Sequence, residues 1–531
     1  MEFIKEKVDI VLFKKVSIAV TVFMMLAHMY VFTNGALLFD SVGVYRGEPN
    51  FIVNSDKWAG GLYWWIDLGV NCPWLAGVWA TVLMIASVYC ICDILGVNTA
   101  WGVILISGLC ATNTTIIAEQ QYTGQNFFII IPLLEAVLAA WLLRKSTMHS
   151  ASKIFLAIAL IALSAGTYGA MVSMMPAMLL VAIIFDIFAG VEAKENWKHS
   201  FQYVFTFIAG MALYYGILRS LLFLQKGTLQ TYMGEDAISS INVIGEMVKT
   251  TQDAYINICL YYTGQSSFLP LLLNKVLVVS IILGCIETVL LIWTVRKQIS
   301  DRISNGILLV IALIISPAVL NLIYIMSLGH VHYLMIFTYS VPLIAFVRIN
   351  ELLFERLDKR TLKSVVFVNN VVFTFFVYFS VVMSNAVYTN YQQMYIEAIS
   401  AGTRILDRIE NCEGFTGTEE VILIGAMQYN PYWGTPGEQP AMILDAALGS
   451  GNPRNINGIN YASWTRRFLN NVLDSTLVFS DYPSVDKMVE EKIVTMQEAE
   501  VLYKMPTFPA DGSVMKIDGK VYINFSNGLE Q

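Results

Sequence analysis

Long apolar runs dominate the first 386 residues of this 531-residue chain and constrain its fold more than any other feature. A helix needs about 20 apolar residues to cross the hydrocarbon core of a bilayer. The chain is 56% hydrophobic and only 14% charged, against about 25% charged in soluble domains, so we expect an integral membrane protein. We count about eleven spans, at residues 16–34, 73–95, 99–118, 126–143, 152–167, 170–190, 201–224, 269–294, 303–327, 333–348 and 364–386.

Basic residues indicate how the spans are oriented. Lysines and arginines cluster before the first span and after the fourth, sixth, eighth and tenth spans. All of these clusters fall on one side of the membrane if the N-terminus is cytoplasmic, because cytoplasmic loops carry an excess of lysine and arginine. An odd number of spans then leaves the C-terminal part of the chain outside the membrane.

The composition becomes that of a soluble protein from about residue 390. Residues 420–425 predict a buried strand, residues 461–473 and 485–502 predict helices, and Asp518 with Gly519 predicts a hairpin turn. No glycine-rich phosphate loop is present. We therefore predict a transmembrane domain at 1–390 and a small extracytoplasmic α/β domain at 391–531, which would serve as a cap or recognition module.

The loop after the first span concentrates charged and aromatic residues. Asp40 lies about one turn beyond the span, and Arg46, Asp56, Lys57 and Trp58 follow it. A carboxylate at the membrane boundary can have its pKa tuned and act as a general base, whereas the alternative is a solvated loop acid. A basic side chain here could bind phosphate. The aromatic residues fit either a platform for a sugar ring or an interfacial aromatic belt.

Four further candidates lie at the predicted outer ends of other spans. Arg219 and Lys275 lie within apolar ends, where a charge is costly, so they either bind an anionic lipid phosphate or extend to the surface. His330 and His332 precede the tenth span. Two histidines could bind a metal, but no third ligand is suggested, so we favour hydrogen bonds to phosphate or sugar.

A polar turn at residues 119–125 supplies additional candidates. Glu119 and Gln120 carry groups of the kind that hold sugar hydroxyls. Tyr122 begins a Tyr-Thr-Gly-Gln sequence that recurs at 262–265, also on the predicted outer face. This repeat has two explanations, chance and a pair of related sugar-contacting turns.

The chain resembles the bacterial membrane glucosyltransferase family of the GtrII type, within the GT-C class. The resemblance lies in Leu38-Phe39-Asp40, in Asp56-Lys57-Trp58 before small residues, and in Ser-Ala-Gly-Thr-Tyr at 164–168. It covers about the first 390 residues and not the tail. That family often has paired acids and Gly-Arg-Trp in its first loop. Here a single acid and Asp-Lys-Trp stand instead, which leaves the base and the phosphate ligand open.

The resemblance implies a GT-C-like enzyme that transfers a sugar, glucose in that family, from a polyprenyl-phosphate donor to a cell-surface glycan. The reaction would take place on the outer face of a bacterial plasma membrane, with inversion and with Asp40 as general base. No cofactor is implied, and a requirement for a divalent metal stays open. A nucleic-acid partner is not expected, because the chain has no basic face. The substrate-binding candidates are Arg46, Asp56, Lys57, Trp58, Glu119, Gln120, Tyr122, Tyr168, Arg219, Lys275, His330 and His332.

Two other classes of protein remain open at this point. A transporter or flippase of lipid-linked sugar or solute would also have many spans, and a non-enzymatic envelope-assembly protein could use the tail for binding. Transporters usually place their site near the membrane midplane. The polar residues here gather at one face, which favours the enzyme.

Overall fold

The structure is a computed structural model that describes residues 9–37, 41–42, 53–66, 72–122, 128–229, 243–299, 301–356, 360–426 and 462–525. Helices form most of the described part. In chain order those of the first domain are α1 (Ile10–Asn34), α2 (Pro73–Leu95), α3 (Ala100–Ala111), α4 (Thr114–Glu119), α5 (Ile130–Lys145), α6 (Ser150–Tyr168), α7 (Met174–Ala189), α8 (Ala193–Gln225), α9 (Val243–Tyr262), α10 (Leu271–Val295), α11 (Arg302–Leu320), α12 (Leu322–Met326), α13 (Val341–Arg356) and α14 (Arg360–Glu410).

Eight helical segments of the described part are long and apolar enough to cross a bilayer, so the protein is a multi-pass helical membrane protein. Three differences account for the larger number that we predicted. The run at 99–118 is divided before α4, whose first turn is capped by Asn113 Oδ1. Helix α5 has only 16 residues. The runs at 152–167 and 170–190 are separated only by a 3₁₀ turn at Gly169–Ser173, so they count as one 40-residue helical segment, although α7 returns to the end at which α6 begins.

Small residues and buried polar groups hold the helices together. Phe32 of α1 covers Gly77 of α2, as lipid-embedded helices commonly pack where a small residue permits close approach. His28 of α1 contacts the Ala111 carbonyl oxygen at 2.8 Å and the Tyr388 hydroxyl at 2.6 Å. These contacts join α1, α3 and α14 without leaving the imidazole unsatisfied.

One end of the bundle is rich in ion pairs around a cavity of about 190 Å³. The C-terminal ends of α2, α5, α7, α10 and α13 line it. The pairs are Arg144 with Asp186, Lys145 with Asp93 and Arg348 with Glu351. Basic residues from two of the sequence clusters therefore meet at one end, and the side of the membrane that this end faces stays a prediction.

Helix α14 connects the membrane domain to the C-terminal domain. It has 51 residues and so extends for about 75 Å, more than twice the thickness of the hydrocarbon core. The helix continues through the predicted domain boundary at residue 390. The C-terminal domain thus begins on the second half of a membrane helix, and no break in helical structure separates the two parts.

The described part of the C-terminal domain contains a sheet of four strands: β1 (Val421–Ile424), β2 (Phe479–Tyr482), β3 (Val514–Ile517) and β4 (Lys520–Asn524). Their order in the sheet is β2-β1-β4-β3, with β1, β2 and β4 parallel and β3 antiparallel to β4. The predicted hairpin turn is confirmed, with Asp518 and Gly519 both at positive φ.

Three helices complete the described part of this domain: α15 (Ala462–Asn471), α16 (Val485–Glu490) and α17 (Met496–Leu502). The single helix that we predicted at 485–502 is wrong. Thr495 forms a capping box with Glu498 and starts α17 as a new helix. The α/β class of the domain is as expected.

Candidate active site

The first-loop segment at residues 53–66 is held as two 3₁₀ turns, Val53–Ser55 and Gly60–Ile66. Asp56 follows the first turn, and its backbone is in the left-handed region at φ +58°. Aspartate tolerates this conformation better than β-branched residues do. Its backbone N–H donates to the Val53 carbonyl oxygen at 3.1 Å. This turn sets the directions in which the Asp56, Lys57 and Trp58 side chains leave the backbone.

The loop segment packs directly on the C-terminal end of α6. The Trp58 indole lies against Gly166, in the space that a Cβ atom would occupy. The Ala59 N–H donates to the Gly166 carbonyl oxygen at 2.7 Å. The Asp-Lys-Trp and Ser-Ala-Gly-Thr-Tyr sequences, which are more than 100 positions apart, therefore form one contact surface.

Asp56 is a half-buried acid with a partner that the sequence did not indicate. The Tyr214 hydroxyl of α8 donates to Asp56 Oδ2 at 3.2 Å. Burial raises the pKa of Asp56 to about 6, although the positive charge of Lys57 and the Tyr214 hydrogen bond act in the opposite direction. Asp56 can therefore change its charge close to neutral pH.

Lys57 lies at the centre of the polar groups. Its Nζ atom is 5.6 Å from the centroid of the Tyr168 ring, a cation–π arrangement. Its charge also lowers the pKa values of Glu119 and His332, which means that both side chains lie within its electrostatic reach. A cation in this position can attract an anionic group that approaches from the end of the bundle.

Glu119 is a second acid at this end, and it is buried. Its Oε1 atom accepts a hydrogen bond from the Ile129 N–H at 3.2 Å. Burial raises the pKa of Glu119 to about 8, so the carboxyl group is largely protonated at neutral pH. A neutral carboxyl can both donate and accept a hydrogen bond, which suits a sugar hydroxyl.

His332 is held as a neutral hydrogen-bond donor. Its Nδ1 atom accepts from the Leu334 N–H at 3.2 Å, which leaves the proton of a neutral ring on Nε2. Burial lowers the pKa of His332 to about 4, with Lys57 as a smaller cause. The Thr115 hydroxyl donates to the Tyr333 carbonyl oxygen at 2.8 Å and so ties this segment to α4, which ends at Glu119.

His330, Gln120 and Tyr122 lie in the turns beside these groups. His330 Nδ1 is 3.0 Å from the Ser327 carbonyl oxygen, so this imidazole is engaged within its own turn. Gln120 is fully buried directly after α4. The Tyr122 N–H donates to the Glu119 carbonyl oxygen at 2.9 Å and closes that turn.

Arg219 and Lys275 are not brought to Lys57 by any contact in the described part of the chain. Both side chains are exposed on their helices. Arg219 lies five positions beyond Tyr214, which corresponds to a rotation of about 140° around the helix axis. Asp40 and Arg46 lie outside the described residues, so their roles stay predictions.

A second polar contact at this end was missing from our sequence interpretation. The Tyr63 hydroxyl donates to Glu135 Oε1. Glu135 is buried in α5, within the run at 126–143 that the sequence predicts to be a membrane span. An acid inside an apolar run was the signal, since such residues normally have a partner.

Comparison with known proteins identifies the family. No curated protein and no solved structure gives a significant match to the chain. The profile of the family described as Glucosyl transferase GtrII matches residues 29–346. This match covers more than half of the chain and includes the described cluster from Asp56 to His332. The chain therefore belongs to the GtrII glucosyltransferase family.

Proposed function

We propose that this glycosyltransferase moves a sugar, glucose, from a polyprenyl-phosphate donor to a cell-surface glycan. The reaction takes place on the outer face of a bacterial plasma membrane. One observation carries the proposal: Lys57 lies over the Tyr168 ring at one end of an apolar helix bundle, and its charge acts on Glu119 and His332 there. A lipid-borne donor presents its phosphate and sugar at such a boundary, while its chain stays in the bilayer.

The first step in our proposal is attack by the acceptor. Asp40, as general base, takes the proton from an acceptor hydroxyl, whose oxygen attacks the anomeric carbon on the face opposite the phosphate. The bond between that carbon and the phosphate oxygen breaks, and the configuration inverts. Polyprenyl phosphate leaves with the bonding electron pair.

Side-chain cations stabilise the departing phosphate, and the mechanism that we propose uses no cofactor. Lys57 is the described cation best placed for this role, because it lies next to aromatic and hydrogen-bonding groups. A positioned positive charge in a site shielded from water favours the transition state as negative charge grows on the leaving group. Arg46, Arg219 and Lys275 are further candidates for contacts with the donor.

The remaining groups hold the sugar rings. Protonated Glu119 and the Nε2–H of neutral His332 offer hydrogen bonds to hydroxyls. Gln120, Tyr122 and His330 lie in the adjoining turns. Trp58 and Tyr168 supply aromatic surface against which the C–H face of a pyranose ring can pack.

The test uses purified protein in liposomes with labelled polyprenyl-phosphate glucose and an acceptor glycan. We expect wild type to transfer the label, and Asp40→Asn to lose transfer while it still inserts into the membrane. Asp253→Asn, which changes an exposed acid on α9, is the matched control and should resemble wild type. Wild-type rates in Asp40→Asn would show that Asp40 is not the base. Movement of the label across the bilayer without acceptor, and without transfer, would favour the transporter instead.

A further inference from the structure

The C-terminal domain packs against Ala36 and Val42, two residues that flank Asp40 in the sequence. Ala36 and Val42 are buried, with 2% and 0% of their surface exposed. They belong to the same hydrophobic core as Met394 and Ala398 of α14 and Val421 of the sheet. Two residues of the first loop therefore belong to the core of a domain that starts about 350 positions later.

A hydrogen bond joins the two parts at one defined point. Asn471 Nδ2, from the last residue of α15, donates to the Val42 carbonyl oxygen at 3.0 Å. Val42 lies two positions after Asp40 in the sequence. The donor and acceptor are 429 positions apart, so this contact exists only in the assembled protein.

Helix α15 is packed against α14, so its position in the domain is well defined. Phe468 and Leu469 are completely buried, and the Phe468 ring meets Tyr395 of α14 edge to face at 6.2 Å. The Phe468 and Leu469 side chains also cover Gly402 of α14. A side chain at the end of this helix has a fixed position relative to the membrane domain, because α14 is continuous with its span.

We propose that Asn471 is a positioning residue, through which the C-terminal domain fixes the backbone at Val42, two positions after the carboxylate that acts as base. The inference rests on the proposed function, in which Asp40 is the base. It gives the C-terminal domain a role in catalysis, although the family match ends at residue 346. The domain acts by packing and by one hydrogen bond, and it does not need to contact either substrate.

The expected effect follows from how strongly proton transfer depends on geometry. A displacement of about 1 Å at a catalytic group can lower the rate about 100-fold. Substrate-binding groups such as Lys57 and His332 are held by other contacts and should keep their positions. Loss of the Asn471 hydrogen bond should therefore lower kcat about 10- to 100-fold and change KM for donor and acceptor less than about twofold.

Two variants of Asn471 and one control test this. Asn471→Asp keeps the size of the side chain and removes the N–H donor, and Asn471→Ala removes the group entirely. Asn411→Ala is the control, because Asn411 is an exposed asparagine of the same domain whose side chain bonds within its own turn, to Asp407. The readouts are kcat, KM, thermal stability and amide hydrogen exchange of residues 36–42, all on the full-length protein.

Support requires lower kcat with unchanged KM in both Asn471 variants, together with faster exchange at 36–42, while Asn411→Ala behaves as wild type. Unchanged exchange would overturn the proposal, because the segment would not depend on Asn471. Faster exchange with wild-type kcat would overturn it too, as would a parallel rise in KM or general unfolding of Asn471→Asp. If the proposed function itself is wrong, the result differs from all of these: wild type does not transfer the sugar, or Asp40→Asn keeps full activity.

Discussion

The Trp58 indole occupies the space that a Cβ atom on residue 166 would need, so Gly166 permits the first loop to lie against α6. We expect Gly166→Ala to displace Trp58 and lower the free energy of unfolding by about 1–3 kcal/mol, the usual cost of overpacking. Transfer activity should also fall, because a displaced Trp58 would move Lys57, its neighbour in the sequence. Stability in detergent and initial rates measure both effects.

The control for this variant is Gly169→Ala, three positions further along the chain. No atom lies within 4 Å of the place where a Cβ on Gly169 would be. We expect that change to leave both stability and activity close to wild type. Equal behaviour of the two alanine variants would contradict the importance of the Trp58 contact.

Donor binding should depend on the charge of Asp56. Its pKa is raised to about 6, so below pH 6 it is neutral and no longer offsets the charge of Lys57. The donor phosphodiester stays anionic throughout, and Glu119, with a pKa of about 8, stays largely protonated. We expect the donor Kd to decrease about fivefold, or about 1 kcal/mol, between pH 7.5 and pH 5.

Asp56→Asn provides the comparison for this titration. The amide cannot ionise, so donor affinity should be high and independent of pH between 5 and 7.5. Titration calorimetry with a donor analogue would measure it. A variant that keeps the wild-type pH dependence would mean that another group is responsible.

Tyr214→Phe should move the same titration to higher pH. The Tyr214 hydroxyl donates to Asp56 and favours the ionised form, so its removal raises the pKa of Asp56 further. A hydrogen bond to a charged group contributes about 1.5–3 kcal/mol, which corresponds to roughly one pKa unit or more. The midpoint of the donor-affinity profile should rise from about 6 to about 7. Tyr215→Phe, on the exposed neighbouring residue, should leave it unchanged.

Tyr63→Phe should destabilise the protein through Glu135. That buried carboxyl accepts from the Tyr63 hydroxyl, and its Oε2 atom has no partner among the described residues. Loss of the donor should cost about 1–3 kcal/mol, the penalty for an unsatisfied buried acceptor. Chemical unfolding measures the change, with Tyr378→Phe on an exposed ring as control. Identical unfolding of both variants would count against a structural role for this hydrogen bond.

Local patterns predicted the features that depend on one stretch of chain. The length of apolar runs predicted membrane helices, because transfer of each segment into the bilayer depends on its own side chains. The Asp518-Gly519 pair predicted a hairpin turn, because only a few residues accept positive φ at low cost. Asp56, Lys57, Glu119 and His332 are likewise recognisable from the sequence as polar residues in the loops and turns between apolar runs.

By itself, then, the sequence determined a multi-pass helical protein with a small α/β domain and polar residues at one end of its bundle. Only the tertiary structure decided which of these groups meet: Trp58 with Gly166, Tyr214 with Asp56, and Asn471 with Val42. The physical reason is that hydropathy and turn preferences are free energies of single segments. Contacts between segments depend on how each helix is rotated and packed against the others, and residues 158 or 429 positions apart carry no local sign of each other.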